Sequence, residues 1–397
     1  SLQFTFITKY HPNIFSAHSL ATIKMDTLKT ETFPYIKATI NKTTFFGSVQ
    51  DSLLIASSSL DALSASMKEN KMAFNAELLN TSNKNSPLSI LINNKKETRY
   101  HSLIFEDSLV NNKLTNFTLV DVDLKQDEIL FNGITKASDS TKSLINAFKN
   151  TKPQENQLAK IAPANSDGFL SFTFDDYAVF NQNLKAYHSA DSLNIETTLF
   201  DNVVEVGVVY EGTQKAIILN SLDEISTNDA LLDEQNVIET YRQVSIYNFS
   251  KPELFNKAFS PLIQFKEASM YCVIDHFFVF ANSVETLQNI IANYQNNTTL
   301  QDRTYFKNIK AQLSDEASMM LVVNPLKLNQ KIAQTLNEDL SLNLKSYKTS
   351  AIQYIYDSNF AHVNAIIKKS KTKAVENSVS EEFNIKISEA ILNTPQF

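Results

Sequence analysis

Glycine, tryptophan and cysteine are scarce in this sequence of 397 residues, which contains five Gly, no Trp and one Cys. Loops that bind nucleotide phosphates need glycine where backbone amides approach the phosphate groups. Five glycines leave little material for such loops, so the composition disfavours most nucleotide-cofactor folds. No apolar run in the sequence approaches the roughly 20 residues that a membrane-spanning helix requires.

The single cysteine, Cys272, excludes an internal disulfide, a zinc ribbon, an iron–sulfur cluster and CxxC redox chemistry. It lies in the apolar run from Met270 to Ile274. A free cysteine in such a run is typical of a protein core. We therefore predict that the thiol of Cys272 is buried.

Acidic residues outnumber basic residues by 43 to 36, which gives a formal net charge of −7. Binding to nucleic acid requires concentrated Lys and Arg, so no nucleic-acid partner is predicted. Hydrophobic residues make up 43% of the chain, enough for at least one large core, and the length predicts two or three domains.

A weak internal duplication organises the sequence. Residues 51–63 align with residues 275–287, at an offset of 224 (275 minus 51). Each copy has an acidic turn, an apolar strand, a small polar residue and an amphipathic helix. Ser59 and Ser283 are the predicted N-caps, because a serine there accepts a hydrogen bond from a free amide of the first helical turn.

Two further blocks align in the same order, residues 88–93 with 319–324 and residues 129–133 with 361–365. Because three blocks are collinear, we predict two related units, each an antiparallel sheet covered on one face by helices, which is an α+β fold. The predicted segments are a first unit at 1–150, a second unit at 160–372, and a linker and strand at 373–397 that lead to a further C-terminal domain.

The first unit is expected to be incomplete at its N-terminus. The second unit opens with the strand Gly168–Phe174 and a helix with Tyr177 and Phe180 on its apolar face. The alignment has no counterpart of this strand and helix in the first unit, so their equivalents are expected upstream of residue 1. The chain opens directly in a strand-like segment, which favours a fragment or a processed protein.

Candidate catalytic and binding motifs are weak throughout. Residues 207–214 have two glycines at the spacing of a phosphate loop, but Thr213 and Gln214 stand where Lys and Ser/Thr are needed, which favours a hairpin. Among the six histidines, only His276 has a carboxylate neighbour, Asp275, and adjacent strand residues point to opposite faces.

Acidic residues also occur in pairs, which could serve acid–base chemistry or bind a divalent cation. Most pairs stand at predicted turns or helix starts, where capping and solvation account for them. We therefore predict no catalytic, cofactor-binding or metal-binding residues. Such pairs occur, among other places, at Asp121/Asp123, Asp127/Glu128, Asp175/Asp176, Asp223/Glu224 and Asp233/Glu234.

The segment from Tyr271 to Pro325 resembles an uncharacterised family of exported gram-negative envelope proteins, known only as a domain of unknown function. The resemblance lies in the run Tyr271–Ser283, in Leu300-Gln301-Asp302, and in the strand that ends at Asn324-Pro325. It implies a duplicated α+β unit, often followed by a β-propeller-like domain. It also implies a location in the periplasm or at the outer membrane, with a lipoprotein or other anchor upstream of residue 1.

Three functional hypotheses follow. The leading one is a non-enzymatic scaffold or docking module in a membrane-associated assembly, whose partners are other envelope proteins. In this hypothesis the chain contacts the membrane only through the anchor. The second is a periplasmic carrier or chaperone that holds an acyl chain or an unfolded segment in an aromatic-lined groove. The third is a hydrolase, which requires His276 and at least two carboxylates to converge in one cleft.

Overall fold

The structure is a computed structural model that describes residues 5–11, 14, 23–30, 33–40, 43–50, 52–67, 78, 80–93, 114–137, 143–188, 197–324 and 347–369. The chain divides into two compact units, Ser1–Ala76 (unit 1) and Glu77–Phe397 (unit 2). Both are built from antiparallel sheets with helices, so the α+β prediction is confirmed at that level. The predicted linker and strand at 373–397 lie outside the described residues.

The described residues of unit 1 form one five-stranded sheet and one helix. Its strands are β1 Thr5–Lys9, β2 Ile23–Lys29, β3 Pro34–Ile40, β4 Thr43–Gln50 and β5 Leu53–Ser57, and helix α1 is Leu60–Met67. The strand order is β1-β5-β4-β3-β2, and every neighbouring pair is antiparallel. As predicted, the hydroxyl of Ser59 accepts a hydrogen bond from the amide of Ala62 (3.4 Å) at the start of α1.

Unit 2 contains a sheet whose thirteen described strands run in the order β12-β13-β14-β15-β11-β10-β9-β16-β17-β18-β8-β7-β6. The strands are β6 Leu88–Asn93, β7 Phe117–Leu124, β8 Glu128–Lys136, β9 Gly168–Thr173, β10 Val203–Glu211, β11 Gln214–Ser221, β12 Val237–Tyr241, β13 Val244–Asn248, β14 Met270–Ile274, β15 Phe277–Ala281, β16 Met319–Val323, β17 Tyr347–Asp357 and β18 Phe360–Lys369. The α-helices whose bounds the structure describes are α2 Tyr177–His188, α3 Glu224–Asp229, α4 Leu254–Phe259, α5 Val284–Gln295 and α6 Thr304–Lys310.

Helices cover both faces of the central strands of unit 2, so the prediction of helices on one face is wrong there. One face packs against α2 and α4, and the other packs against α5 and α6. The sequence explains the difference, because all five residues of β15 are apolar and all five are buried. A strand that is apolar on both sides must be covered on both sides.

Strand order recurs between the two sheets. The order β1-β5-β4-β3-β2 in unit 1 has the same form as the order β11-β15-β14-β13-β12 in unit 2, with antiparallel pairing throughout. The sequence blocks aligned above coincide with β5 and β15, with β6 and β16, and with β8 and β18. The duplication itself stays a prediction.

The boundary between the compact units differs from the predicted boundary near residue 150. Strands β6 to β8 belong to unit 2 because β8 pairs with β18 over nine residue pairs, from Phe360↔Lys136 to Lys368↔Glu128. Sequence relatedness and compactness are separate properties, so the predicted segments 1–150, 160–372 and 373–397 stay a prediction about repeats.

Candidate functional site

The most unusual surface of unit 2 is the segment Leu222–Tyr241, which we call the acidic edge. It runs from the end of β11 through α3 to β12, the strand at one end of the sheet. The segment contains six acidic residues and no Lys or Arg. Of these acids, Asp223, Glu224, Asp229 and Asp233 are exposed.

Large hydrophobic side chains are exposed among these acids. Leu222 and Ile225 are each 77% exposed, and Leu232, Val237 and Ile238 are also exposed. Among the described residues of unit 2, only two other large hydrophobic side chains are exposed, those of Leu88 and Leu124. Single exposed hydrophobics are ordinary, but a concentration of them in one short segment is typical of an interaction surface.

Hydrogen bonds hold the first half of the acidic edge in place. The carboxylate of Asp223 accepts a hydrogen bond from the amide of Ser226 (3.0 Å) and caps α3. The hydroxyl of Ser221 accepts from the amide of Asp223 (3.1 Å) and lies 2.7 Å from the hydroxyl of Thr227. Leu222 and Ile225 are therefore presented to solvent from a fixed helix start, since the cap and the buried hydroxyl pair fix the backbone.

A buried carboxylate anchors the second half. Glu234 accepts hydrogen bonds from the amide of Ser250 (2.8 Å) and its hydroxyl (2.6 Å), and the ammonium of Lys251 lies 3.6 Å away. Burial alone would raise the pKa of Glu234, but the Ser250 hydrogen bonds and the Lys251 charge outweigh it and lower the pKa. Glu234 is thus ionised at neutral pH and is not part of the exposed charge.

Strand β12 is held from one side. It pairs with β13 through a two-residue turn at Arg242 and Gln243, which both have positive φ (48° and 67°), as the favoured hairpin turn requires. The carboxylate of Glu239 accepts a hydrogen bond from the side-chain amide of Gln288 in α5 (2.7 Å). Within the described residues, β12 has no second neighbour.

Another unusual group is a carboxylate sealed inside unit 2. Glu205 of β10 is fully buried and accepts hydrogen bonds from the hydroxyl of Ser171 (2.5 Å), the amides of Gln157 (2.9 Å) and Leu158 (3.3 Å), and the side-chain amide of Asn220 (3.3 Å). Four donors therefore meet its two oxygens. They tie the segment before β9 to the sheet.

Burial raises the pKa of Glu205 to about 7, although hydrogen bonds from Ser171, Gln157, Asn220 and Leu158 partly oppose the rise. A raised carboxyl pKa is one feature of a general acid. Glu205 is nevertheless fully buried, and its bonded partners hold it on all sides. In this setting the carboxylate acts as a structural tie.

Glycine matters at two points of the same hairpin. A Cβ on Gly207 would lie 2.1 Å from Cδ2 of Leu158, so glycine allows the segment that Glu205 binds to approach β10. Gly212 has a φ of +62° and forms the turn between β10 and β11. The hairpin interpretation of residues 207–214 is confirmed, because residues 207–211 lie in β10 and Gln214 begins β11.

The structure places His276 at the turn between β14 and β15, where its carbonyl accepts a hydrogen bond from the amide of Ser221 (3.1 Å). Its neighbour Asp275 instead accepts a hydrogen bond from the phenol of Tyr294 in α5. Burial, followed by the Asp275 contact, raises the pKa of Tyr294 to about 12. In the ranges that the structure describes, no three His, Cys, Asp or Glu side chains come close enough to hold a metal ion.

Several predicted roles of polar residues are confirmed. Asp176 caps α2 by accepting hydrogen bonds from the amides of Ala178 (2.8 Å) and Val179 (3.2 Å). Asp121 accepts hydrogen bonds from the amide of Asn83 (2.7 Å) and the hydroxyl of Ser89 (2.5 Å). The cap at Asp176 is as predicted, whereas Asp121 lies within β7 and bonds across to Ser89 of β6.

Cys272 is fully buried in β14, as predicted, and burial raises its pKa to about 12. Aromatic residues also form a large part of the core. Rings on β9, just after β9, and on α2 and α4 pack against one another, with centroids 4.6 Å apart for Phe174 and Phe180 and 5.7 Å apart for Phe172 and Phe259. In the described residues, these rings belong to the core between β9 and the helices α2 and α4.

The sequence analysis named the pairs Asp223/Glu224 and Asp233/Glu234, but it identified neither the acidic edge as a surface nor Glu205 as a buried charge, although both leave a signal in the sequence. Glu205 is a lone charge inside an apolar strand, Val203–Tyr210, and a charge in such a strand is buried only when it is bonded. The acidic edge combines a one-signed charge run with isolated Leu, Ile and Val. Only the three-dimensional structure distinguishes those apolar residues from core residues.

The family described as "Protein of unknown function (DUF3352)" matches residues 201–388, which agrees with the predicted resemblance to an uncharacterised family. No curated protein matches the chain. In the described residues, none of the helices combines the length and apolarity that crossing a membrane requires.

Among solved structures, the chain is similar to the protein TP0453. Crystal form III of that protein matches with a TM-score of 0.31 and 12% identity, covering 54% of this chain and 93% of that one. Crystal form I matches with a TM-score of 0.29 and 12% identity, covering 55% and 93%. These values describe a distant likeness.

Proposed function

We propose that this chain is a non-enzymatic docking module of the bacterial cell envelope, and that the acidic edge binds a basic and partly apolar segment of another envelope protein. The sequence resemblance supports the envelope location. The observation that carries the docking role is the concentration of exposed Leu, Ile and Val among acids that have no basic residue between them.

Charge and hydrophobicity together define the partner. Exposed carboxylates at Asp223, Glu224, Asp229 and Asp233 attract Lys and Arg and repel nucleic acid and anionic lipid. Leu222 and Ile225 can lose water only against an apolar surface. A protein segment that combines Lys or Arg with aliphatic side chains meets both conditions.

The geometry supports a preformed site. The cap at Asp223 and the anchor at Glu234 hold the backbone before a partner arrives, so little conformational entropy is lost on binding. The edge strand β12 adds backbone groups, which a partner strand can pair with by β-augmentation.

The test compares two double variants of the native, tagged protein in gently solubilised envelopes. Leu222→Ser with Ile225→Ser removes the apolar part of the acidic edge, and Leu88→Ser with Leu124→Ser is the control, because both of those leucines are also exposed in unit 2. We expect a stoichiometric envelope protein to co-purify with the wild type and the control, and to be reduced at least about tenfold with the first variant.

A charge variant tests the chemistry of the partner. Glu224→Lys, Asp229→Lys and Asp233→Lys together reverse the exposed charge and leave the Asp223 cap intact. We expect the same partner to be lost, and its retention on the wild type to weaken with added salt. Retention by both acidic-edge variants would contradict the proposal, as would a wild-type protein that co-purifies with nothing. Cell fractionation of the tagged native protein tests the envelope location.

A further inference from the structure

The outer edge of β1 in unit 1 invites comparison with β11 in unit 2, because both strands hold the same place in the same strand order. Strand β11 pairs with β15 on one side and with β10 on the other. Strand β1 pairs with β5, and the described residues contain no second neighbour for it. The position that β10 takes on β11 is thus open on β1 within the described part of the chain.

Strand β11, which has neighbours on both sides, is more deeply buried than β1. Residues 216–219 of β11 are fully buried, and β10 itself is buried on both faces along nearly its whole length. On β1, by contrast, Phe6 is 43% exposed and Ile7 is 61% exposed. Successive strand residues point to opposite faces, so β1 exposes apolar surface on both faces of the sheet.

The pairing of β1 with β5 determines which backbone groups face outward. The amide of Tyr10 donates a hydrogen bond to the carbonyl of Ser52 (2.7 Å), and bonded pairs alternate along an antiparallel ladder. In this register the bonded pairs on β1 are Phe6 and Thr8, which face Ala56 and Leu54.

The amides and carbonyls of Thr5, Ile7 and Lys9 therefore point away from β5. They form a row of donors and acceptors at the spacing that an antiparallel strand requires. The row is flanked on its two faces by the exposed side chains of Phe6 and Ile7.

We propose that the outer edge of β1 binds one antiparallel strand of the β10 type, that is, a strand apolar on both faces, contributed by polypeptide that precedes β1 in the chain. The recurring strand order supports this source, because β10 directly precedes β11 in sequence and pairs with it. The two exposed apolar faces of β1 support the chemistry, since a strand with one polar face would leave either Phe6 or Ile7 against polar groups.

The probe is a synthetic peptide with the sequence of β10, residues 203–211, carrying added terminal lysines for solubility. It is titrated into the 397-residue protein, and hydrogen exchange of the β1 amides is followed. We expect the amides of Ile7 and Lys9 to exchange at least about tenfold more slowly at saturation, because both become hydrogen-bonded. Amides of β12 should not change.

Two variants at one position separate backbone pairing from side-chain packing. Ile7→Pro removes an outward donor, and proline is tolerated at such an edge position because the ladder to β5 keeps its bonds. Ile7→Thr keeps the amide and the branched shape. We expect at least about tenfold weaker peptide binding for Ile7→Pro and a much smaller change for Ile7→Thr. Protection of the Phe6 and Thr8 amides in both variants shows that β1 stays folded.

Absence of protection at saturating peptide would overturn the proposal, as would equal binding by Ile7→Pro and the wild type. Analytical ultracentrifugation without peptide tests the other occupant of such an edge, a second copy of the chain. A dimer that dissociates on Ile7→Pro substitution would show that copies pair through β1, and would overturn the assignment to preceding polypeptide.

Discussion

The sheet β1–β5 and the strands β11–β15 have the same order and the same antiparallel pairing, yet their burial is very different. Residues of β15 are buried without exception, whereas β5 begins with the exposed Leu53. The difference comes from what surrounds each set. Strand β15 lies between β11 and β14 and under α5, whereas β5 is next to β1, the last strand of its sheet among the described residues.

The comparison teaches that strand order alone does not determine how much a strand contributes to stability. Hydrophobic burial depends on the area removed from water, and that area depends on covering helices and neighbouring strands. Native-state hydrogen exchange can test this difference, because it measures the protection of the β5 amides and of the β15 amides separately.

The largest effect is expected for Phe277 of β15 and its aligned residue Leu53 of β5. Phe277→Ala leaves a cavity in a fully buried position and should lower the free energy of unfolding by about 3–5 kcal/mol. Leu53 is 43% exposed, so Leu53→Ala should cost less than about 1 kcal/mol. Equal losses, read from exchange of the β15 and β5 amides, would contradict the burial argument.

The next effect concerns Glu205, whose strand β10 has no described counterpart beside β1. The pKa of Glu205 is about 7 in the folded protein and 4.5 in the absence of its environment. The folded state therefore binds the proton more tightly than the unfolded state. The contribution of Glu205 to the free energy of unfolding is complete below pH 4.5 and is lost as the pH rises through 7. The loss amounts to about 3 kcal/mol at most.

Glu205→Gln should remove this pH dependence between pH 4.5 and 7 in the exchange of β10 and β11 amides. The variant should also be less stable than the wild type at low pH, because the new amide nitrogen faces backbone donors at Gln157 or Leu158. Exchange of the β5 amides should keep its wild-type pH dependence. A variant that retains the wild-type slope at β10 would show that another group titrates.

The smallest effect is expected at the two helix caps. Ser283 accepts a hydrogen bond from the amide of Thr286 (3.2 Å), and Ser59 accepts one from Ala62 (3.4 Å). Ser283→Ala and Ser59→Ala should each cost about 1 kcal/mol, whereas Ser→Asp at either position should retain most of the stability. If only the Ser283 variant loses stability, the caps are not equivalent and the sequence alignment overstates their likeness.

Local features were predicted well because they depend on neighbours in sequence. Ser59 and Ser283 cap their helices, Cys272 is buried, and the apolar run 277–281 is a strand. The failures concern distant contacts. The covering of β15 by helices on both faces depends on elements far away in the sequence.

The candidate site was not predicted for the same reason. An exposed Leu222 and a buried Leu219 look alike in sequence, and they differ because β11 is enclosed up to Ser221 and the chain then leaves the sheet. Glu205 is a charge in an apolar strand, and its four donors come from three separate segments. Local sequence patterns do not show which distant segments of the chain come into contact.

The amino-acid composition alone determined how few glycines are available for phosphate-binding loops, the single thiol and the negative net charge. The order of residues determined the helix caps and strands that follow from local spacing. Tertiary structure decided which apolar residues are enclosed, which carboxylates are buried, and which strand edges stay open. The physical reason is that propensity and capping act over a few residues, whereas burial and sheet pairing depend on chain segments that folding brings together.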